Sequence, residues 1–523
     1  MAASKRIKRL LVANRGEIAT RIISAARELE IETVAIYSDD DVSHTYNAHH
    51  AIKLSDSSSY MNIDELCSIA QKHSIDAVHP GYGFLSESPT FSQRLESAGV
   101  TVIGPGSTIL DRTGDKLQAR QLAEECEVPV LPALTTPTDS VDKVKHFADQ
   151  AGFPIMIKAV DGGGGRGIRL VEDPADLNSS LARAIEESPS RQVFVEKAAI
   201  SGYRHVEIQI VGDGWGNVTH LWERECSIQR RYQKVVELAP STITDRKLVA
   251  AVIEAALRIA RKINYRSLGT FEFLVNPESR DFYFLEINPR LQVEHTVTES
   301  ICLIDIVRSQ LLIAQGASLD EAELTHINAS PEVPPPLHSV QLRITAEDPA
   351  KNWTLSVGKV QSSHFPSGNG VRCDTNIISG IPFAVTPDFD SLLAKLIITA
   401  STWPSVLQKA RRALEDTRIV GVQTNLPILK AILAHQDFIS GQCDTRWLET
   451  HQSTLLSSAS TFKPNPFTRK GDTLFVVRQM KMELEVKAPR AGRVEWVLDV
   501  EEGEDVGEGW LGAVVVPLEK GRL

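Results

Sequence analysis

The chain has 523 residues, 42% of them hydrophobic and 24% charged, which is ordinary for a globular protein of three or four domains. Its net charge of −11 argues against a general nucleic-acid binder but does not exclude a local basic pocket for an anion. No apolar run approaches a membrane span, and the cysteines show no C-x-x-C spacing that would indicate a zinc site or disulfide framework. The apolar run from Ile7 leaves too little chain before it for a typical transit peptide, so we expect a cytoplasmic protein.

The N-terminal region alternates between strand-like and helix-like segments. Four short apolar runs are typical of buried strands: residues 10–13, 33–37, 76–78 and 100–103. After the first of them, Ile18, Ile22 and Ala25 fall on one face of a predicted helix. This alternation predicts an α/β fold with a parallel sheet covered by helices. The loops HPGYGF and GPGS follow strands, where such sheets place ligands, although turn chemistry alone explains them equally well.

The segment FPIMIKAVDGGGGRGIRLV gives the clearest phosphate-binding signal. A strand carrying Lys158 is followed by four glycines, Gly162 to Gly165, and then by a second strand. Because glycine has no Cβ, its backbone N–H groups can wrap around an anion. The segment is neither a P-loop nor a G-x-G-x-x-G helix start. It predicts a hairpin lid over phosphates, with a simple flexible loop as the alternative.

The segment TFEFLVNPESRDFYFLEINPRLQVEH predicts a hairpin that carries a metal site. An antiparallel register centred near Ser279 places Glu272 opposite Glu286. Facing carboxylates repel each other unless a cation lies between them, and Mg²⁺ shared with ATP phosphates would supply that cation. Asn288 follows on the same face and adds an oxygen ligand. The alternative is a pair of solvent-exposed glutamates.

Charged and polar residues cluster directly after this hairpin and upstream of it. Arg290 and Glu294 could hold an anion and act as a general base, although an ordinary surface ion pair fits the same pattern. His205, Glu207 and the string ERECSIQRRYQKVVE place many charged groups together. In a chain of net negative charge they indicate a basic anion pocket, and the alternative is a solvated charged face.

The remaining chain contains a connector, a mixed region and a small C-terminal module. The string PEVPPP prevents both helix formation and strand pairing, so it is typical of a connector. The region that follows mixes strands with a helix near residues 407–417. The string HQSTLLSSASTFKPNP, rich in Ser, Thr and Pro, predicts a weakly structured stretch. Short apolar runs separated by Gly and acidic turns then predict an all-β module.

Taken together, the motifs over about residues 5–448 closely resemble the ATP-grasp biotin carboxylase component of acetyl-CoA, propionyl-CoA, pyruvate and urea carboxylases. The strings that carry the resemblance are LLVANRGEIATRI, HPGYGFLSE, GDK, IKAVDGGGGRG, HVEIQ, SIQRRYQKVVE, GTFEF, FLEINPRLQVEHTVTE and LRITAEDP. The implied fold is an α/β biotin carboxylase fold in five segments: a pre-ATP-grasp domain (1–115), an ATP-grasp domain (116–330), a mixed α/β C-terminal domain (331–450), a linker (451–468) and a partial all-β biotinyl or lipoyl-like module (469–523).

The resemblance implies a role for individual residues. ATP would be bound by Lys116, Lys158, Gly163, Gly164, Gly165, Glu196, Lys197, His205 and Gln229. Mg²⁺, or Mn²⁺ in its place, would be bound by Glu272, Glu286 and Asn288, and bicarbonate by Arg290, Gln292 and Val293. Lys234 would lie near the transferred phosphoryl group, Glu294 would be the base, Arg343 would stabilise the biotin enolate, and Tyr82 would belong to the pocket wall.

The implied activity is ATP- and bicarbonate-dependent carboxylation of biotin through carboxyphosphate. The expected partners are bicarbonate, biotin or a biotinyl carrier domain, a separate carboxyltransferase subunit of an acyl-CoA carboxylase-type system, and a second copy of the chain in a homodimer. Neither nucleic acid nor membrane is expected as a partner. The alternatives are an ATP-grasp ligase that forms an amide through an acyl phosphate, and a non-catalytic regulatory or assembly subunit.

Two parts of the sequence depart from the family pattern. The string LSVGKV replaces the usual proline-serine-proline-glycine turn, whereas the biotin-side loop TPDFDSLLAKL keeps Asp390, Ser391 and Lys395. In the tail, Met480-Lys481-Met482 resembles the hairpin whose lysine carries biotin, which makes Lys481 the candidate biotinylation site. The first half of this module lacks an expected early strand. The alternative is therefore a vestigial carrier, with biotin delivered on another chain.

Overall fold

The computed structural model describes residues 6–38, 41–134, 136–160, 167–324, 330–460, 467–468, 473–479, 482–488, 492–497 and 513–517. Gly163, Gly164, Gly165 and Lys481 lie outside these described residues. The chain divides into two compact units, residues 1–456 and residues 457–523. Within the described ranges, no helix combines the length and the apolar character that crossing a membrane requires.

The first unit begins with a five-stranded parallel sheet in the order β3-β2-β1-β4-β5. Its elements are β1 (Arg9–Val12), α1 (Gly16–Glu28), β2 (Glu32–Tyr37), β3 (His50–Lys53), α2 (Ile63–Lys72), β4 (Ala77–His79), α3 (Pro89–Ser97), β5 (Thr101–Val102) and α4 (Ser107–Gly114). Ile18, Ile22 and Ala25 of α1 are buried against the sheet, as their spacing predicts. The predicted parallel α/β fold is confirmed.

A three-stranded antiparallel sheet follows, in the order β7-β6-β8. Its elements are α5 (Lys116–Glu125), α6 (Val141–Ala151), β6 (Ile155–Ala159), β7 (Ile168–Val171), α7 (Leu177–Glu187) and β8 (Val193–Lys197). In β6 the alternating residues Ile155 and Ile157 are buried beneath α6 and α7, whereas Lys158 points to the other face. The strands on both sides of the glycine run therefore pair as the sequence predicts.

The largest element is an antiparallel sheet of eight strands in the order β13-β12-β9-β10-β11-β14-β21-β19. Its first strands and their helices are β9 (Arg204–Asp213), β10 (Val218–Arg230), β11 (Gln233–Ala239), α8 (Arg246–Lys262), β12 (Arg266–Val275), β13 (Phe282–Asn288), α9 (His295–Cys302) and α10 (Ile306–Ala314). The apolar side chains of α8 pack on those of β9 and β12 to form a core beneath one face of the sheet.

The rest of the first unit adds strands to this sheet and surrounds them with helices and small two-stranded sheets. The elements are β14 (His338–Thr345), β15 (Glu347–Asp348), β16 (Thr354–Leu355), β17 (Gly358–Val360), β18 (Ser362–His364), β19 (Val371–Thr375), β20 (Phe383–Val385), β21 (Leu392–Ala400), α11 (Trp403–Asp416), β22 (Arg418–Val420), α12 (Leu426–Ala434), α13 (Gln436–Ile439) and α14 (Trp447–Ala459). The strand pairs are β15-β16, β17-β20 and β18-β22.

Helix α14 corrects one expectation. The stretch predicted to be weakly structured, which includes the start of the linker over residues 451–468, is helical as far as Ala459. Serine and threonine are weak helix formers, but Leu448 and Leu455 are buried seven residues apart on one helical face. Tertiary burial of these side chains outweighs the low intrinsic propensity.

The second unit contains β23 (Phe467–Thr468), β24 (Thr473–Gln479), β25 (Met482–Lys487), β26 (Gly492–Val497) and β27 (Ala513–Pro517). Strands β23, β26 and β27 form one antiparallel sheet, and β24 pairs with β25 in another. The predicted small all-β module is confirmed. Gln479 pairs with Met482, so only two residues of sequence connect β24 to β25.

Candidate active site

Glu272 and Glu286 lie opposite each other on β12 and β13, in the register that the sequence predicts. The register shifts immediately beyond this pair. Glu272 is buried and Glu286 is half-buried, so the alternative of two exposed glutamates is wrong for Glu272. The amide of Asn288 donates to Glu272 Oε1 at 2.7 Å and to Glu286 Oε1 at 3.5 Å. The nitrogen and oxygen of the Asn288 side-chain amide exchange places when the amide is flipped by 180°. The flipped amide turns its oxygen towards Glu272 and Glu286, so all three side chains present the oxygen ligands that Mg²⁺ prefers.

Lys234 of β11 is the cation of a cluster of three buried carboxylates. Its Nζ lies 2.7 Å from Glu294 Oε1 and 3.4 Å from Glu272 Oε1, and it also contacts Glu207 Oε1. Burial alone would lower the pKa of Lys234, but the three carboxylates outweigh burial and raise it well above its usual value. We call Lys234, Glu207, Glu272 and Glu294 the Lys234 cluster. One ammonium group is thus shared by three carboxylates.

Glu294 stands at the N-terminus of α9, where it contacts a second cation. Its Oε2 accepts a hydrogen bond from Arg343 Nη2 at 2.9 Å, while Oε1 faces Lys234. Arg343 of β14 also pairs with the buried Glu237 of β11. Burial alone would raise the pKa of Glu294, but Lys234 and Arg343 outweigh it and hold the pKa well below its usual range. Each oxygen of the Glu294 carboxylate therefore faces a cation.

His205 and Gln229 extend the Lys234 cluster along β9 and β10. His205 Nε2 lies 2.6 Å from Glu272 Oε2, and Gln229 Nε2 lies 3.2 Å from the other ring nitrogen of His205. Burial opposes charge on this imidazole, but the contact with Glu272 outweighs burial and raises the pKa of His205. The structure therefore brings these two predicted ATP-binding residues to the carboxylates predicted to bind the metal.

The segment between β13 and α9 carries the predicted bicarbonate residues. Arg290 Nε donates to Glu87 Oε1 at 2.7 Å, and Gln292 Nε2 donates to Glu272 Oε1 at 3.1 Å. The carbonyl oxygen of Val293 accepts a hydrogen bond from Lys395 Nζ at 3.1 Å. We call residues 290–294 the bicarbonate loop. Its side chains and backbone are thus fixed by contacts from three separate parts of the first unit.

The other predicted ATP-binding residues lie in the three-stranded sheet and on α5. Lys158 Nζ on β6 pairs with Glu196 Oε1 on β8 at 2.5 Å. Lys197 Nζ donates to the carbonyl oxygens of Gly152 and Phe153 at 3.0 and 2.8 Å, so this lysine is bound to the backbone between α6 and β6. Lys116 is exposed at the first turn of α5. These side chains are not part of the Lys234 cluster.

An open cavity of about 770 Å³ is lined by the start of α1, the loop after β4 and the segment before β21. The residues that line it include Arg15, Glu17, Tyr82, Phe389 and Asp390. Tyr82 OH donates to Glu17 Oε1 at 2.7 Å, and the Arg15 guanidinium stacks 3.8 Å from the centre of the Phe389 ring. Its wall therefore combines an aromatic surface with polar groups, as small-molecule sites do.

Models of known protein families match successive segments of the chain. The family model described as "Biotin carboxylase, N-terminal domain" matches residues 6–110, and "Carbamoyl-phosphate synthase L chain, ATP binding domain" matches residues 115–322. "Biotin carboxylase C-terminal domain" matches residues 341–450, and "Biotin-requiring enzyme" matches residues 458–513. One similar solved structure is the biotin carboxylase domain dimer of Hydrogenobacter thermophilus 2-oxoglutarate carboxylase, in complex with MgADP, ADP and bicarbonate. Its sequence is 37% identical and its TM-score is 0.81. The match covers 86% of this chain and 99% of that one. The chain belongs to the biotin carboxylase family.

Two further relatives show how much of a larger enzyme the match covers. Biotin carboxylase from Campylobacter jejuni, solved with an ATP analogue described as β-γ-ATP, is 34% identical with a TM-score of 0.79, over 85% of this chain and 99% of that one. Pyruvate carboxylase of Aspergillus terreus is 43% identical over 463 residues, which are 86% of this chain and 38% of the relative. The chain thus spans about two fifths of the length of that relative. The predicted enzyme class, an ATP-dependent biotin carboxylase, is confirmed.

Two residues of the biotin carboxylase site were missed by sequence reasoning. The guanidinium of Arg224 on β10 is fully buried and donates hydrogen bonds to five side chains, those of Glu207, Gln209, Thr270, Gln292 and Thr298. Glu87 holds Arg290 from a loop 203 positions earlier in the sequence. For Arg224 the only signal in the sequence was the density of charged residues around it, and for Glu87 it was the position at the end of HPGYGFLSE. Neither signal was sufficient, because the partners of both residues come from distant segments.

Proposed function

We propose that this chain carboxylates biotin at the expense of ATP, with bicarbonate as the source of the carboxyl group. The observation that carries the proposal is Glu294, a buried carboxylate held between Lys234 and Arg343. This arrangement supplies a proton acceptor and two anion-binding cations within one site. The nearby pair Glu272 and Glu286 adds the ligand set for the cation that accompanies ATP.

Glu272, Glu286 and Asn288 would hold Mg²⁺, or Mn²⁺ in its place, which when bound neutralises charge on the ATP phosphates. Lys116, Lys158, His205 and Gln229 would contribute to the ATP site, together with Glu196, Lys197 and the glycines 163–165. Arg290, Gln292 and the backbone of Val293 would hold bicarbonate beside Glu294. The protein's contribution in such a site is positioning and charge neutralisation.

The proposed reaction begins with proton transfer to Glu294. Bicarbonate loses its proton to this carboxylate and attacks the γ-phosphoryl group of ATP, which releases ADP and forms carboxyphosphate. The anionic substrates offer Lys234 and Arg343 new partners, and each contact that Glu294 loses to them makes it a stronger base. Carboxyphosphate then separates into CO₂ and phosphate. The phosphate accepts the ureido proton of biotin, the enolate captures CO₂, and Arg343 stabilises the enolate charge.

The open cavity that Glu17 and Tyr82 line is the proposed place for biotin. Its wall includes Tyr82 and Asp390, and Ser391 Oγ donates to Glu347 Oε1 at 2.9 Å at the start of β21. Arg343 contacts Glu294 through one nitrogen and lies on the strand next to β21. A bicyclic ring seated there would have an aromatic surface on one side and polar groups on the other.

Bicarbonate dependence of ATP hydrolysis tests this function. With MgATP, free biotin and ¹⁴C-bicarbonate, we expect ADP and phosphate to form only when bicarbonate is present, with label transferred to biotin. Hydrolysis that needs an amine and an acid instead of bicarbonate would show the amide-forming ligase. Nucleotide binding without turnover under all conditions would show the regulatory subunit.

Lys481 is proposed to carry biotin on the same chain. Support comes from the Met-Lys-Met string, the match to "Biotin-requiring enzyme" and the antiparallel pairing of β24 with β25 on either side of it. After co-expression with a biotin ligase, intact mass should increase by one biotin, and Lys481→Ala should abolish the increment. An unmodified wild-type chain would instead require a carrier in trans.

The remaining partners and the final acceptor are also proposals. We propose a homodimer, which is the state of the Hydrogenobacter thermophilus domain, and a carboxyltransferase that receives the carboxyl group. An acyl-CoA acceptor stays a prediction from sequence, and a 2-oxo acid is the second candidate because the relatives are named as pyruvate and 2-oxoglutarate carboxylases. Transfer of ¹⁴C from the carboxylated chain, with its co-purified carboxyltransferase, to acetyl-CoA, propionyl-CoA or pyruvate distinguishes the two. The cytoplasmic location likewise stays a prediction.

A further inference from the structure

Lys395 on β21 is a fully buried lysine that contacts the backbone of the bicarbonate loop. Its side chain has no exposed surface, and its Nζ donates to the carbonyl oxygen of Val293 at 3.1 Å. Val293 immediately precedes Glu294, so this hydrogen bond fixes the backbone from which the proposed base projects. A buried ammonium is costly unless it is paired, so its position is set by the carboxylates around it.

Glu17 at the first turn of α1 is the closer of the two carboxylates near this ammonium. Lys395 Nζ lies 3.0 Å from Glu17 Oε2 and 3.8 Å from Asp374 Oδ2. Asp374 already has a cation of its own, because both of its oxygens accept hydrogen bonds from Arg372, at 2.7 and 2.8 Å. Glu17 has no other cationic partner recorded within the part of the chain that the structure describes. Glu17 therefore depends on Lys395 for its cation, whereas Asp374 shares Lys395 with Arg372.

Glu17 also reaches the wall of the open cavity. Its Oε1 accepts the hydrogen bond from Tyr82 OH, and both residues line that cavity. Three contacts thus run in series from the cavity wall to the bicarbonate loop: Tyr82 to Glu17, Glu17 to Lys395, and Lys395 to Val293. The two partners of each contact belong to different structural elements, so a shift of one group changes the position of the next.

We infer that Glu17 and Lys395 are positioning residues that couple the wall of the proposed biotin cavity to the bicarbonate loop. The inference rests on the proposed function and adds to it a connection between the two substrate sites. Neither residue touches the reacting atoms. Their role is to hold the Val293 carbonyl, and through the backbone Glu294, in the productive position, and to transmit occupancy of the cavity to it.

Glu17→Gln tests the coupling because it keeps the shape of the side chain and removes its charge. In bicarbonate-dependent ATP hydrolysis, we expect kcat/KM for bicarbonate to fall about tenfold or more, with KM for MgATP nearly unchanged. Arg246→Lys is the matched control, since Arg246 pairs at 2.5 Å with the equally buried Glu223 and has no contact with the bicarbonate loop among the described residues. A change in kcat/KM for bicarbonate no larger than in this control would overturn the inference.

Two further variants separate positioning from folding. Lys395→Met alone leaves Glu17 buried without its cation, so the variant to measure is Glu17→Gln combined with Lys395→Met, which removes the pair together. We expect it to fold and to show a bicarbonate defect at least as large as that of Glu17→Gln. Wild-type kinetics in this double variant would count against the inference.

The link to the cavity is tested by a double-mutant cycle between Tyr82→Phe and Glu17→Gln. If the contacts act in series, the two losses in kcat/KM for bicarbonate will be less than additive, and additive losses would contradict the coupling. A wild-type chain without any bicarbonate-dependent hydrolysis would overturn the proposed function and this inference with it. An active wild-type chain with unaffected variants would overturn the inference alone.

Discussion

Lys234 Nζ and Glu294 Oε1 lie 2.7 Å apart, although the same ammonium group also contacts two other buried carboxylates. The ion pair joins β11 to the N-terminus of α9 and so connects the phosphate side of the proposed site to its base. Because Lys234 is shared, its loss affects folding and chemistry together, whereas changes to Glu294 can be aimed at chemistry alone.

Glu294→Gln is expected to abolish the proposed proton transfer while keeping the fold. Glutamine has the shape of glutamate, and its one carbonyl oxygen can still accept a hydrogen bond from either Lys234 or Arg343, but it cannot accept the bicarbonate proton. We expect kcat for bicarbonate-dependent ATP hydrolysis to fall about 10²- to 10⁴-fold. The thermal midpoint and the affinity for ATP should stay close to wild type. Retained activity in this variant would assign the base to another group.

Lys234→Met is expected to destabilise the protein strongly. It removes the ammonium that Glu207, Glu272 and Glu294 share, so that these buried carboxylates keep only Arg224, His205 and Arg343 as partners. The free energy of unfolding should fall by about 3–5 kcal/mol in urea denaturation. Adding Glu207→Gln removes one of the uncompensated charges and should restore part of the loss. If Lys234→Met alone is as stable as wild type, the charges of the cluster are neutralised in another way.

Arg224→Lys is expected to fail as a conservative replacement. One ammonium cannot reproduce the forked hydrogen bonds that reach Glu207, Thr270 and Gln292 from β10. We expect a loss of about 3 kcal/mol in stability and a rise in KM for bicarbonate, because Gln292 loses its support. Arg258→Lys on α8, an exposed arginine that donates to Cys126 O, serves as the control and should change neither quantity.

Glu286→Gln is expected to weaken divalent-cation binding. The substitution removes one of the two facing carboxylates but keeps a side chain within reach of Asn288. Half-saturation by Mg²⁺, or binding of Mn²⁺ followed by electron paramagnetic resonance, should shift to about 10- to 100-fold higher concentration. Glu278→Gln, an exposed position in the turn of the same hairpin, should leave it unchanged. Equal affinities in all three proteins would place the cation elsewhere.

Acid sensitivity is expected to depend on Asp374. Burial alone would raise the pKa of Asp374, but Lys395 and Arg372 outweigh it and lower the pKa to about 2. A carboxyl whose pKa is lowered by folding stabilises the protein above its unfolded pKa of about 4, and this contribution is lost as the pH falls towards 2. Asp374→Asn should remove about 2 kcal/mol of stability at neutral pH and flatten the profile between pH 4 and 2. Exposed Asp142→Asn should leave that profile unchanged.

The parts of the site that the sequence predicted are those set by local spacing. The opposition of Glu272 and Glu286 follows from the length of one hairpin, and the pairing of β6 with β7 follows from the strands on both sides of the glycines. The alternation of strands and helices likewise predicted the parallel sheet. The two hairpins pair residues fewer than twenty positions apart, and the parallel sheet follows from the repetition of short segments.

The parts that the sequence did not predict depend on contacts between distant segments. Glu87 meets Arg290 across 203 positions, and Arg224 binds side chains from β9, β12 and α9. Helix α14 was missed because its stability comes from buried leucines rather than from its Ser- and Thr-rich composition. The spacing of residues within one sequence motif carries no information about which distant segment will pack against that motif.

The pairing of β11 with β14 sets a limit on how this protein can be shortened. Four residue pairs from Val236↔Leu342 to Ala239↔Ser339 join the strands across the boundary predicted near residue 330, so one sheet serves both segments. A fragment ending there would leave the whole hydrogen-bonding edge of β11 open to other chains, which invites aggregation. A minimal expression fragment should therefore retain β14, β21 and β19 along with the ATP-grasp segment.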